Sequence, residues 1–138
     1  MEVEEFLGRL VSEGVVRQYG KRRERRFTAK AERLRVAELA DTMRRAGARL
    51  PAITCVDLGD DFELVYHFDL GGSLIDVKVR VGKAVPKVAS ITSAYPVAEL
   101  YEREILEMFG VKFEGLPRPE KLYLPDDWPE WDKPMRKR

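Results

Sequence analysis

The chain has 138 residues, 36% of them charged, with a formal net charge of +1, one cysteine and one histidine. That length suits a single domain able to bury about two-thirds of its unfolded surface without a staple. A lone cysteine excludes an internal disulfide and any iron–sulfur or zinc site built from this chain's cysteines alone, and a lone histidine excludes a His-rich metal cage.

The first residues, MEVEEFLGRL, are acidic and lack a long apolar core, so they are not expected to be a signal peptide. No run approaches the ~20 apolar residues of a membrane helix, and the expected compartment is a reducing cytoplasm. Val3, Phe6, Leu7, Leu10 and Val11 recur at helical spacing over residues 2–13, and Gly14 stops them. A basic run, Lys21–Arg26, leads into Phe27-Thr28-Ala29 and reads as a hairpin. Residues 35–46 predict a second helix with Val36, Leu39, Ala40 and Met43 on one face and Gly47 at its end.

The middle of the sequence is β in character. Ala52–Leu58 reads as a strand, turned by Gly59-Asp60-Asp61. Phe62, Leu64, Tyr66, Phe68 and Leu70 alternate with Glu63, Val65, His67 and Asp69, a period of two. Gly71-Gly72 signals a hairpin, after which Ile75, Val77, Val79 and Val81 alternate with Asp76, Lys78 and Arg80. Lys87–Thr92 reads as a fourth strand. Short turns predict a mostly antiparallel four-stranded meander covered on one face by helices, an α+β two-layer domain over residues 1–115.

Pro96 suits the first turn of a third helix. Ala98–Gly115 reads as one helix closed by glycine, and past Gly110 the character of the sequence changes. Pro117, Pro119, Pro125, Pro129 and Pro134 forbid another long helix, so residues 116–138 are expected to be an extended, proline-rich arm ending in Arg136-Lys137-Arg138. Tyr123, Trp128 and Trp131 favour an arm laid on a partner over a free tail, although it can also fold back on its own sheet.

On the third helix Val97, Tyr101, Ile105 and Met108 fall on one side with Leu100 beside them, and Glu104 falls within that apolar stripe. Glu102 and Leu106 are placed on the opposite side. A carboxylate in an apolar stripe either reaches its edge or finds a partner at an interface, and Leu106 opposite suggests a second covered side. Glu102 and Glu104 point more than about 100° apart, so they do not flank one scissile bond as glycosidase acids do. Glu104 and Glu107 have ligand spacing but no imidazole beside them, so no metal site is expected. His67, alternating on its strand, reads as a packed or surface residue, and Cys55 as a small apolar one.

Several separated segments carry a resemblance. Glu102-Arg103-Glu104 is followed by the acid Glu107, the apolar pair Met108-Phe109 and Gly110-Val111-Lys112-Phe113-Glu114-Gly115. Leu122-Tyr123-Leu124-Pro125-Asp126-Asp127-Trp128-Pro129 and Pro134-Met135-Arg136-Lys137 come later. Val56-Asp57, Tyr66-His67-Phe68, Val77-Lys78-Val79-Arg80 and Pro96 stand upstream in the same order. Over residues 34–138 the sequence resembles the thirty-kilodalton subunit of NADH:quinone oxidoreductase (respiratory complex I), a family with members in membrane-bound energy-converting nickel–iron hydrogenases. It departs at Leu116, where the family has a basic residue, and at Glu120, where a basic residue or proline is usual. A hydrogenase-like or sulfur-reducing relative therefore fits as well as a quinone reductase.

The resemblance implies a subunit of a multisubunit oxidoreductase, with no catalytic residue and no cofactor of its own. Iron–sulfur clusters, and nickel–iron or quinone sites, would reside in partner subunits. The implied partners are the large subunit (forty-nine-kilodalton or hydrogenase-like) and the small iron–sulfur subunit, with the membrane arm reached indirectly, at the cytoplasmic side of the membrane. The implied signature and interface residues are Glu102, Arg103, Glu104, Leu106, Glu107, Phe109, Gly110, Phe113, Gly115, Pro125, Asp127, Trp128 and Arg136. This agrees with the absence of a G-x-G-x-x-G run, a P-loop or a Ser/His/Asp set. Two other readings stand beside it, a stand-alone adaptor on the same fold and a nucleic-acid module built on the Lys21–Arg26 run. The near-neutral charge and the lack of an RNA-binding aromatic signature weigh against the last.

Overall fold

A computed structural model describes residues 2–119, 124–125 and 127–137. Two amphipathic helices open the covering layer. Helix α1 (Val3–Ser12) buries Phe6, Leu7 and Leu10, and the amide of Val15 closes it by donating to the Leu10 carbonyl at 2.9 Å. A hairpin follows, β1 (Gln18–Arg23) and β2 (Arg26–Ala31), as the basic run predicts. Arg25 turns it with φ of 61°, and its carbonyl accepts the Leu74 amide at 2.9 Å, joining this turn to the next hairpin. After a 3-10 turn at Arg33–Arg35, helix α2 (Val36–Arg45) buries Val36, Leu39, Ala40 and Met43. It ends with the Ala48 amide on the Met43 carbonyl at 3.0 Å, Gly47 lying between as the turn residue.

Strands β3 (Arg49–Asp57), β4 (Asp61–Leu70) and β5 (Ser73–Gly82) form the expected antiparallel meander. Register places Ile53 beside Tyr66, Tyr66 beside Val77, and Val77 beside Ala29, so one face is apolar across four strands. That face, with Phe62, Leu64, Phe68, Ile75, Val79 and Val81, forms the core with the helices.

The sheet differs from expectation. It has five strands in the order β1-β2-β5-β4-β3 and is mixed, because β2 lies parallel to β5. The backbone leaves β2, crosses by α2 to the far edge and returns by two hairpins, so β5 arrives pointing the same way as β2. Lys87–Thr92 is consequently not a fourth meander strand: the edge of β5 that it would have joined is taken by β2. Only β6 (Lys87–Ala89) is extended, and it pairs in parallel with β7 (Lys112–Glu114) as a separate two-stranded sheet. Parallel strands require a crossover, and here it is helix α3 (Ala98–Phe109). The helix thus stops at Phe109 and does not extend over the whole of Ala98–Gly115.

Candidate functional site

Helix α3 lies against β3, with the Tyr101 hydroxyl donating to the Pro51 carbonyl at 2.6 Å and the Phe109 ring edge-on to Phe62 at 5.9 Å. Its inward face is Ala98, Glu102, Ile105 and Phe109, at spacings of four, three and four. This corrects the expected orientation: Glu104 is exposed and Glu102 is fully buried. Val97 and Leu100, expected in the core, are about half exposed, at 47% and 53%. Leu106 is half-buried and Tyr101 and Met108 lie at the margin. The most apolar stripe is therefore not the innermost one, because the inner stripe contains a carboxylate that finds its own partners.

Those partners are local. Glu102 Oε1 accepts the Ser90 hydroxyl at 2.6 Å and Oε2 accepts the Ile91 amide at 2.8 Å. Ser90 Oγ lies 2.8 Å from Thr92 Oγ1, and the Ser90 amide donates to the Glu114 carbonyl at 2.8 Å. One carboxylate so joins the middle of α3 to the segment entering the crossover, and the Ser90 amide joins that segment to the one leaving it. Burial pushes Glu102 up to about 7, against the downward pull of the Ser90 and Ile91 bonds. Burial also raises the Tyr66 phenol well above its ordinary value, with the Glu102 charge adding to the effect.

The second signature acid is engaged as well. Glu107 is buried and accepts the Leu124 amide at 2.9 Å. Nearby, Arg103, Leu106, Leu124 and Trp128 border a cavity of about 150 Å³. Trp128 is half-buried and its indole N–H donates to the Asp132 carbonyl at 2.8 Å. The described residues beyond β7 thus follow this chain's own α3. Arg118 forks onto Glu99 at 2.8 and 3.0 Å, and its guanidinium holds the Glu99 carboxyl below its ordinary value.

The closing Pro134-Met135-Arg136-Lys137 segment caps the helix. The Met135 amide donates to the Met108 carbonyl at 2.9 Å and Arg136 Nε to the Phe109 carbonyl at 3.1 Å. These are carbonyls that a helix C-terminus leaves without intrahelical partners. Gly110 ends α3 at φ of 85°, in the left-handed region, and a Cβ there would stand 3.1 Å from an Arg136 guanidinium nitrogen. The Arg136 guanidinium lies 5.0 Å from the Phe62 ring centre. Lys137 then donates its amide to Asp57 Oδ2 at 2.6 Å, while Asp57 Oδ1 takes Lys83 at 2.7 Å and the Gly59 amide at 2.8 Å. The Lys83 bond chiefly holds Asp57 down to about 2.

Among the other expected site residues, Phe113 is buried in β7 and Gly115 follows it at φ of 92°. Pro125 and Asp127 are exposed. Leu116, where a basic residue was the family expectation, is buried in the core. Glu120, Lys121, Leu122, Tyr123, Asp126 and Arg138 lie outside the described residues. Asp57, Lys83, Phe62 and Ser90 do not stand out as site residues in the sequence. The Asp57-x-Gly59 spacing of an Asx turn was the available signal for the first of these. Cys55 is half-buried, and burial followed by the Asp57 charge pushes its thiol up to about 12. His67 lies between Thr54 Oγ1 at 3.0 Å and Asp76 Oδ1 at 2.8 Å on the sheet face turned away from the core. Among the described residues no three His, Cys, Asp or Glu side chains converge on a metal position, and no helix is long and apolar enough to cross a membrane.

The arrangement of a mixed α+β sheet with an acidic crossover helix, braced by the segment that follows it, recurs in chains of known structure. The fold matches a chain of the membrane-bound sulfane sulfur reductase, an archaeal respiratory membrane complex, with a TM-score of 0.82 and 27% identity over 99% of this chain and 84% of that one. A trypsin-resistant fragment of Nqo5 shares the fold, with a TM-score of 0.71 and 24% identity over 86% of this chain and 99% of the fragment. The chain belongs to the respiratory-chain NADH dehydrogenase 30 Kd subunit family, whose model matches residues 28–138.

Two relatives illustrate what the chain is similar to in sequence. The C subunit of the NADH-quinone oxidoreductase of Moorella thermoacetica is 39% identical over 83 residues, 57% of this chain and 56% of the relative. The beta subunit of the membrane-bound hydrogenase of Pyrococcus furiosus is 36% identical over 86 residues, 58% of this chain and 49% of the relative. The matched region is thus about half the length of these relatives.

Proposed function

We propose that this chain is a non-catalytic structural subunit of a complex I-type oxidoreductase or of a related membrane-bound hydrogenase or sulfur-reducing complex. In this reading it stands at the cytoplasmic side of the membrane and helps hold the large catalytic-type subunit and the small iron–sulfur subunit in fixed relation. Their clusters, and any nickel–iron or quinone site, carry the electrons. Electron transfer needs rigidly fixed neighbours, and a subunit that packs on both can supply rigidity without touching a redox centre.

One observation carries the reading: helix α3 is anchored inward by an acid and leaves large apolar side chains exposed at its N-terminal end. Glu102 and Glu107 are engaged with this chain's own backbone, while Val97, Leu100 and Glu104 stand exposed in one stripe at spacings of three and four. Adjoining exposed apolar side chains are the kind of surface a partner covers. Trp131 and Met135, at 79% and 58% exposure on the segment that braces α3, extend the surface available to a partner. In this reading residues 116–138 serve both as brace and as docking arm.

The test is purification under mild detergent through a tag on this chain. A hydrogenase-like or forty-nine-kilodalton-type large subunit and an iron–sulfur small subunit are expected to accompany it. Recovery of the tagged protein alone, or coloured by a tightly bound prosthetic group of its own, would overturn the reading.

A further inference from the structure

The face of the sheet turned away from the core is rich in polar and charged side chains, and on β3, β4 and β5 basic residues stand opposite carboxylates in register. Arg49 stands opposite Asp69, His67 opposite Asp76, and Glu63 opposite Arg80. Each of these pairs is bridged, at 3.5, 2.8 and 3.2 Å. The β2–β5 pair departs from this pattern. There Lys30 and Lys78 are direct register partners, and both point to this face because Ala29, Ala31, Val77 and Val79 point inward. Arg23 and Arg26 also face each other beside the β1–β2 turn, but Asp76 takes Arg26 at 3.5 Å. Neither Lys30 nor Lys78 has an ion-pair partner among the described residues, and like charges directly opposite are destabilising.

The two lysines line a groove of about 350 Å³ with two carboxylates that are already occupied. Glu32 faces Arg17 at 3.7 Å and Glu63 faces Arg80 at 3.2 Å. The fifth cation of the groove, Arg33, donates to the Val85 and Lys87 carbonyls at 3.2 and 3.4 Å. The groove therefore presents two lysines adjacent in register, about the 4.8 Å spacing of neighbouring strands apart at their Cα atoms, and is also lined by two arginine–carboxylate pairs. A polyphosphate would meet Glu32 and Glu63. A single carboxylate side chain, carrying one charge and two oxygens, matches the paired ammoniums without that conflict.

We infer that Lys30 and Lys78 form a socket for an aspartate or glutamate side chain of a neighbouring subunit, seated on that face of the sheet. This surface is separate from the α3 stripe, and the inference rests on the reading that the protein is one subunit among several. Docking there would convert an in-register repulsion into a bridged, charge-assisted contact.

The experiment uses the complex purified through this chain. A carbodiimide, which joins an amine to a carboxylate with no spacer, is expected to link Lys30 or Lys78 to an Asp or Glu of another subunit, identified by peptide mass spectrometry. Acetylation of both lysines is expected to be several-fold slower in the complex than in the isolated protein. A K30E/K78E double variant, checked for folding by its circular dichroism melt, is expected to lose the cross-link and to release the neighbour at lower salt than an R22E control, whose residue lies on the exposed strand β1 outside the groove. Acetylation of both lysines in the complex at the rate of the isolated protein would overturn the inference. So would protection by inorganic phosphate in the isolated protein with no cross-link in the complex, which would assign the pair to a small anion. If no subunits accompany the tagged protein, the assembly reading fails and this inference with it. If they do and both lysines stay reactive, the socket alone fails.

Discussion

Glu102 and Glu104 are two residues apart and lie in opposite environments. The first is held at full burial by a hydroxyl and an amide; the second faces solvent. Because the native pKa of Glu102, about 7, lies above the ordinary 4.5, the folded state holds this proton more tightly than the unfolded state. The associated stabilisation is complete below about pH 4.5 and is lost as pH rises through about 7. Chemical denaturation at about pH 5 and about pH 8 should show wild type losing on the order of 2 kcal/mol over that interval. Glu102→Gln, whose carbonyl can still accept from Ile91, should flatten the profile. Asp57, held low by Lys83, acts in a different window: its contribution is present above pH 4 and is lost as pH falls toward about 2. Glu104→Leu is expected to change folding stability by no more than about 0.5 kcal/mol, as an exposed substitution does, while reducing recovery of partner subunits in the tagged purification. A normal chromatographic profile of the assembled complex would refute that role.

At the scale of the element, α3 depends on residues distant in sequence. Its C-terminal carbonyls at Met108 and Phe109 are met by Met135 and Arg136, and Gly110 makes room for that approach. Gly110→Ala places a side chain in the left-handed region and against Arg136, and should lower stability by about 1–2 kcal/mol, read as a lower thermal midpoint. Phe62, fully buried, carries Phe109 edge-on and both Arg136 and Lys83 over its ring. Phe62→Ala should cost about 3–5 kcal/mol through the cavity it opens beneath the helix end. The helix was legible in the sequence, but its end at Gly110, five residues short of the expected Gly115, was not. Nor was its rotation, because a wheel ranks faces by apolarity alone and cannot see that Ser90 and Ile91 wait for a carboxylate.

For the whole molecule, the consequence of this bracing is a graded stability. Truncation after Gly115 should leave hydrogen-exchange protection in β3, β4 and β5 intact, because their pairing lies within residues 49–82. The same truncation should expose the last turn of α3 and reduce partner binding. Global loss of protection would show instead that the segment is required for the fold itself. The mixed sheet has the same logic of distant contacts. The β3–β4–β5 meander followed from alternation and glycine turns, and the β1–β2 hairpin from the basic run. Their union by a parallel β2–β5 contact did not, since it is set by where the α2 crossover delivers the backbone.

Local periodicity, turn residues and the ordered signature around Glu102-Arg103-Glu104 were sufficient to establish an α+β domain, most of its elements and the family resemblance, because each depends on neighbours a few positions apart. The strand order, the inward turn of Glu102, the displacement of Lys87–Ala89 into a second sheet and the capping of α3 by Arg136 were decided only in three dimensions. Each of these joins groups separated by eleven or more positions, and the deciding quantity is which buried polar group finds its partner when the layers close.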